Sequence, residues 1–140
     1  DPEVQDADIL RIAWGALTRF VDDSGASMLI GCTSFAGTNP DLYKDAFAML
    51  AARHLAPDTW CPKITRPNAI RYSERFIHRP DPTQALQQMP PLLRSYLAMG
   101  GKVGDHLVID PVLNTLHVFT GLEIGAIPEN RKRRLRALAQ

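Results

Sequence analysis

The side chains best suited to chemistry fall in two short stretches. One is Gly31-Cys32-Thr33-Ser34-Phe35-Ala36-Gly37-Thr38; the other runs from Asp110-Pro111 through Asn114 to His117. Histidine exchanges a proton near neutral pH, so His117 is a candidate general base, and equally a lone histidine on a strand. Asp-Pro is a turn-forming pair, so Asp110 either closes a turn or offers its carboxylate to an amine. Asn114 can cap the same turn. In the first stretch Thr33, Ser34, Gly37 and Thr38 present small side chains and reachable backbone N–H groups, a cradle for a carbonyl. A plain strand-to-helix loop would use the same residues. Gly31 within an apolar strand marks a bulge or a close approach of another group. Cys32 and Cys61 make neither a disulfide framework nor a metal-ligand spacing. No base is tied to Cys32 by sequence, and buried small cysteines are usually inert.

The elements that must hold these residues follow from periodicity. Asp6 to Val21 carries one wide apolar stripe at helical spacing, with acids in its first turn. Ala26 to Phe35 reads as a buried strand. Thr38 or Asn39 can cap the next helix, which has Pro40 at its first position and runs to about His54. Leu55 to Asn68 is a proline-rich loop. Ala69 to His78 alternates as a strand with Ile70, Tyr72 and Phe76 on one face, and Arg79 to Gln88 is a second loop. Pro90 and Pro91 open a helix whose Leu92, Leu93, Tyr96 and Leu97 recur at helical spacing, and Gly100-Gly101 stops it. Val103, Leu107, Val108 and Ile109 make a strand; Asp110-Pro111 turns it; Leu116 to Phe119 makes another. Helices alternate with these strands, so the expected fold class is α/β (α+β), a mixed sheet flanked by helices.

Composition narrows the function classes. The chain has 140 residues, enough for one sizeable core, with 45% apolar and 22% charged residues. A net charge of +1 gives no whole-protein field for nucleic acid. No apolar run approaches the ~20 residues of a membrane-spanning helix. Two cysteines without a framework make a reduced, cytoplasmic setting the default.

The two stretches also carry a resemblance. Ile30-Gly31-Cys32-Thr33-Ser34-Phe35-Ala36-Gly37-Thr38 resembles a family's G-C-x-S-F-x-G-T. Met89 to Gly121, with its helix, glycine pair, strand, Asp110-Pro111, Asn114-Thr115 and final strand, resembles the same family's C-terminal signature. That family is the ornithine-acyl-[acyl carrier protein] N-acyltransferases, also labelled hemolysin-like. It is similar in turn to the acyl-CoA N-acyltransferase (GNAT) superfamily and to acyl-homoserine-lactone synthases. The resemblance implies a bacterial enzyme of lipid biosynthesis that moves a fatty (3-hydroxy)acyl group from a carrier thioester to an amino acid's α-amine, that of ornithine, for ornithine lipid. It implies acyl-[acyl carrier protein] or acyl-CoA as co-substrate, no permanently bound cofactor and no metal. It implies Asp110 and Tyr43 as catalytic candidates beside His117, which stands on its own chemistry, with Gly31, Ser34, Phe35, Gly37, Arg94, Tyr96 and Asn114 toward the acyl group and carrier. His117 departs from the family, which usually has an acid there.

The same resemblance implies that residues 1–140 are one domain, the C-terminal part of a longer GNAT-like acyltransferase domain whose opening strands lie upstream. A missing N-terminal segment, or a second chain, would then cover the sheet edge. Val4-Gln5-Asp6-Ala7-Asp8, where the superfamily has a glycine-rich phosphate loop, holds two carboxylates and no glycine, against close phosphate contact there. From Pro128 a short helix carries Arg131, Lys132, Arg133, Arg134 and Arg136, a basic amphipathic tail. Its partners would be an acidic carrier protein or the anionic inner membrane, and otherwise it is a solvated face. The rival to the enzyme is a non-catalytic acyl- or partner-binding module with the same fold.

Overall fold

A computed structural model describes residues 28–127 and 129–139, together with Ala16. The helix expected from Asp6 to Val21 lies outside them, save for the helical Ala16. In order, the elements are β1 (Met28–Ala36), a 3-10 turn (Pro40–Tyr43) leading into α1 (Lys44–Arg53), β2 (Ala69–Arg71), α2 (Tyr72–Arg75), α3 (Pro82–Gln88), α4 (Pro91–Ala98), β3 (Lys102–Asp110), β4 (Thr115–Glu123), a second 3-10 turn (Ile124–Ala126) and α5 (Glu129–Ala139).

The fold is α+β: helices flank a four-stranded sheet of order β1-β4-β3-β2. The pairing differs from the mixed sheet expected, because every described ladder is antiparallel. The tight turn between β3 and β4 leaves them no other direction. Among the described residues the parallel contact is an isolated bridge, Leu55 to Val103.

One face of the sheet builds the core. Phe35, Leu116, Val118, Leu107 and Val103 point at α1, whose Ala46, Phe47 and Leu50 are fully buried. Phe47 is central: its ring centroid lies 4.8 Å from Phe35, 5.6 Å from Tyr72 and 5.2 Å from Phe76. Burying one such ring is worth about 1.5–3 kcal/mol relative to exposure.

Local signals account for most element ends. Asn39 Oδ1 accepts from Asp41 N at 3.1 Å and opens the turn before α1. Gly100, with φ +92°, closes α4. Four expectations are corrected. The strand expected over Ala69–His78 ends at Arg71, and Tyr72–Arg75 is helical. A spacing of four puts Tyr72 and Phe76 on one side under either period, so alternation alone misleads. The loop expected over Arg79–Gln88 contains α3, with Asp81 Oδ1 accepting from Thr83 N at 3.0 Å and Gln84 N at 3.3 Å, and Pro82 in the first turn. β1 is not buried throughout: Thr33 and Phe35 turn inward, whereas Ile30, Gly31, Cys32 and Ser34 are exposed. Gly31 pairs in regular register with Thr120, and the irregularity lies in β3, between Val103 and Leu107.

The outer face is covered at one end. Trp60, from the loop after α1, lies on Gly121, where any side chain would overlap the indole, and donates Nε1–H to Glu123 at 3.1 Å. Toward the β3–β4 turn the same face opens into a cleft.

Candidate functional site

Register assembles the site. Ser34 pairs directly with His117 across β1 and β4, and Asp110 with Thr115 across β3 and β4. Directly opposed residues share a face, so Ser34 and His117 meet on the outer one. Ser34 Oγ lies 3.0 Å from His117 Nδ1, and His117 Nε2 lies 3.1 Å from Asp110 Oδ2. Thr115 Oγ1 stands 3.2 Å from Nε2 as a second acceptor.

The proton positions follow from Asp110. Its Oδ1 accepts from the backbone N–H of both Val112 and Leu113 at 3.0 Å. The Leu113 N–H first, and the His117 side chain next, hold its carboxyl below the usual carboxylate range. An ionised carboxylate only accepts, so the neutral form of His117 donates its Nε2–H to Asp110 in a hydrogen bond. That leaves the Nδ1 lone pair to accept the Ser34 hydroxyl. Ser34, His117 and Asp110 thus form a directed relay, with the His117 and Asp110 side chains each 27% exposed. Such a relay can take a proton from a bound nucleophile and stabilise the resulting imidazolium.

The relay opens on a cleft of about 620 Å3. Its polar wall adds Cys32, Arg66 and Asn68 to Asp110 and His117; Val108, Ile109, Pro111, Val112 and Leu113 supply the apolar wall. Asn114, at φ +55°, completes the turn, and its carbonyl accepts from Gly37 N at 2.8 Å. That bond ties the two sequence stretches together and occupies the Gly37 N–H expected to be reachable. Gly37 itself sits at φ +82°, which favours glycine.

The other candidates lie apart from the relay. Phe35 is in the core, and Tyr43 packs its ring 5.0 Å from Phe35 while donating its hydroxyl to the Ala36 carbonyl at 2.6 Å. Arg94 is exposed on α4. Tyr96 packs with Met99, Leu122 and Ile127 and donates to the Leu29 carbonyl at 3.2 Å. Leu29 precedes Ser34 by five residues, about 17 Å along a strand at ~3.4 Å per residue. Cys32, set aside above as a buried thiol, is exposed on the cleft. Sequence reasoning missed Arg66 and Asn68. No local pattern marks them; Asn68 is held by a two-way bond to Ile109 that only the folded chain forms.

Among the described residues no helix is long and apolar enough to cross a membrane. No family model matches the chain, and no solved structure matches it either.

A sheet-borne proton relay beside an apolar-walled cleft suits a group-transfer site in which a nucleophile must lose a proton. The chain is similar to curated proteins named L-ornithine N(alpha)-acyltransferase, as the two motifs led one to expect. It is 28% identical over 130 residues to that of Rhizobium meliloti (strain 1021), covering 90% of this chain and 43% of the relative. It is 28% identical over 134 residues to that of Rhodobacter capsulatus, covering 94% and 50%. To that of Brucella abortus (strain 2308) it is 28% identical over 129 residues, covering 90% and 45%. The chain thus spans about half the length of the curated relatives it matches.

Proposed function

We propose that this chain forms the part of an N-acyltransferase that deprotonates and positions an amine, and that the reaction moves a fatty acyl group from a carrier thioester to the α-amine of ornithine. The relatives' name supports the acceptor. The observation that carries the reading is the Ser34–His117–Asp110 relay, whose His117 and Asp110 line the cleft. The amine nitrogen attacks the thioester carbonyl and loses its proton through the Ser34 hydroxyl to His117 Nδ1. Asp110, ionised and fixed by two N–H groups, stabilises the imidazolium. The C–S bond breaks, the amide forms, and His117 returns the proton to the leaving thiolate. The apolar wall from Val108 to Leu113 suits an acyl chain. In this reading Tyr43, Arg94 and Tyr96 support the fold rather than the chemistry.

The carrier is an acidic acyl carrier protein in this reading, and α5 offers it a docking surface. Arg131, Arg133 and Arg134 are exposed there, and Lys132 reaches Glu129 at 3.5 Å. The test is direct: the protein, an acyl-carrier or acyl-CoA thioester and L-ornithine are incubated, and Nα-acylornithine is quantified by mass spectrometry. His117→Ala is expected to lower kcat/KM by roughly 10²–10⁴-fold, the usual contribution of a general base, with little change in melting temperature. Undiminished transfer by this variant would remove the relay from the mechanism.

A further inference from the structure

We propose that Arg66 is the anchor for the acceptor's carboxylate, and that this anchor selects the α-amine over any side-chain amine. The inference rests on the acyl-transfer reading of the cleft and concerns how the amino acid is held in it.

The charges of the cleft suit a zwitterion. On one side stands Asp110, both of whose oxygens are occupied, Oδ1 by two backbone N–H groups and Oδ2 by His117. Arg66 lines the same cleft, and among the described residues its guanidinium makes no hydrogen bond or ion pair. Its neighbours in sequence do: Arg71 reaches Asp105 at 3.4 Å, and Arg75 reaches Asp41 at 2.9 Å. A guanidinium has five N–H donors and no acceptor, in a fork that fits a carboxylate bidentately.

Arg66 is also held near the relay. Its carbonyl accepts from Ala69 N at 3.4 Å, just before β2. Asn68, two residues on, is clamped to the end of β3: Ile109 N donates to the Asn68 carbonyl at 3.1 Å, and Asn68 Nδ2 donates back to the Ile109 carbonyl. Ile109 is the residue before Asp110. The backbone that carries Arg66 is therefore tied to the strand that carries the relay's carboxylate.

Geometry then decides which amine reacts. In an α-amino acid the amine nitrogen and the carboxyl carbon share Cα and lie about 2.5 Å apart. A carboxylate docked on Arg66 brings that nitrogen to the relay. A side-chain amine stands several bonds further off, along the apolar wall of Val108 and Leu113. Its ammonium is also repelled by the guanidinium, so it is poorly placed to lose a proton to His117.

The experiment compares two acceptors, L-ornithine and putrescine, which is ornithine without its carboxylate. In the wild-type protein ornithine should be much the better acceptor and the Nα product should dominate. Arg66→Gln is expected to raise the ornithine KM about tenfold to a hundredfold, the range for a lost charge-assisted hydrogen-bond pair. Turnover of putrescine and the KM of the thioester should not change, and the Nδ product should appear. Arg66→Lys, which keeps the charge but not the fork, should recover part of the loss. A rise in donor KM alone would show that Arg66 holds a phosphate of the donor, and would overturn the proposal. So would equal losses for both acceptors. Calorimetric titration of L-ornithine without donor separates this inference from the reading beneath it. Ornithine bound through Arg66 without any acyl transfer would sink the activity and leave the anchor; transfer with an unaffected Arg66→Gln would do the reverse.

Discussion

The two faces of β4 use one backbone in different ways. Leu116, Val118, Thr120 and Leu122 turn inward and are at most 2% exposed; Thr115, His117 and Phe119, between them, are only half buried. The inner apolar residues work by volume: Leu116 and Val118 fill space against Phe47, Phe35 and Leu107, and Leu122 against Tyr96, Met99 and Ile127. Such a face tolerates exchange among apolar residues of similar size, because dispersion and burial have no preferred direction. The outer residues work by direction. His117 matters because Nδ1 meets Ser34 and Nε2 meets Asp110 at hydrogen-bond distance. Since successive side chains point to opposite faces, the two jobs separate along one strand. Damage to the inner face should therefore appear as lost stability, and damage to the outer face as lost chemistry.

The sharpest test on the inner side is Phe47→Ala. The ring contacts Phe35, Tyr43, Tyr72 and Phe76, and removing it should cost about 3–5 kcal/mol, read as a fall in the denaturant midpoint. A loss well under 1 kcal/mol would mean that the face is not held by packing. Next comes Asp110→Asn on the outer side. The amide can still accept from Val112 and Leu113, but His117 loses its ionised partner. Acyl transfer should fall by about tenfold or more, approaching the roughly 10²–10⁴-fold of losing the base itself. The pH dependence has a definite sign. The folded-state pKa of Asp110 is depressed, so its contribution to stability is present above the ordinary carboxylate value of about 3.9 and is lost as pH falls through the depressed value. The asparagine variant should lack that part of the acid unfolding curve; a curve identical to wild type would show that the carboxylate adds nothing to the fold.

The smallest effect expected is on the inner face and has the opposite sign. Tyr72 is 1% exposed, and its hydroxyl has no hydrogen-bond partner among the described residues. Burial pushes its pKa far above the ordinary tyrosine value. Tyr72→Phe removes an unsatisfied polar group at nearly constant volume, so it should leave activity unchanged and raise stability by up to about 1 kcal/mol. A drop in melting temperature would mean that the hydroxyl has a partner after all, and that this face is less purely apolar than Phe47 makes it.

What the amino-acid order determines by itself is local. Asn39 and Asp81 cap helices, Pro91 opens one and Gly100 ends one, because these devices act within about four residues of themselves. The strand–turn–strand around Asp110-Pro111 is legible for the same reason, and so are the side-chain types able to move a proton. Asp81-Pro82 was equally readable as a helix start. Tyr72 to Arg75 was not readable as a helix, since Tyr72 and Phe76 satisfy both periods. Only the tertiary structure decides that Ser34, 83 residues before His117, stands opposite it, and that Arg66 borders the same cleft. Those positions depend on strand register and on which face the core claims. A one-residue slip of β1 would carry Ser34 to the buried face and Phe35 to the cleft. Packing of Phe35 against Phe47 holds the register, and the register brings Ser34 to His117.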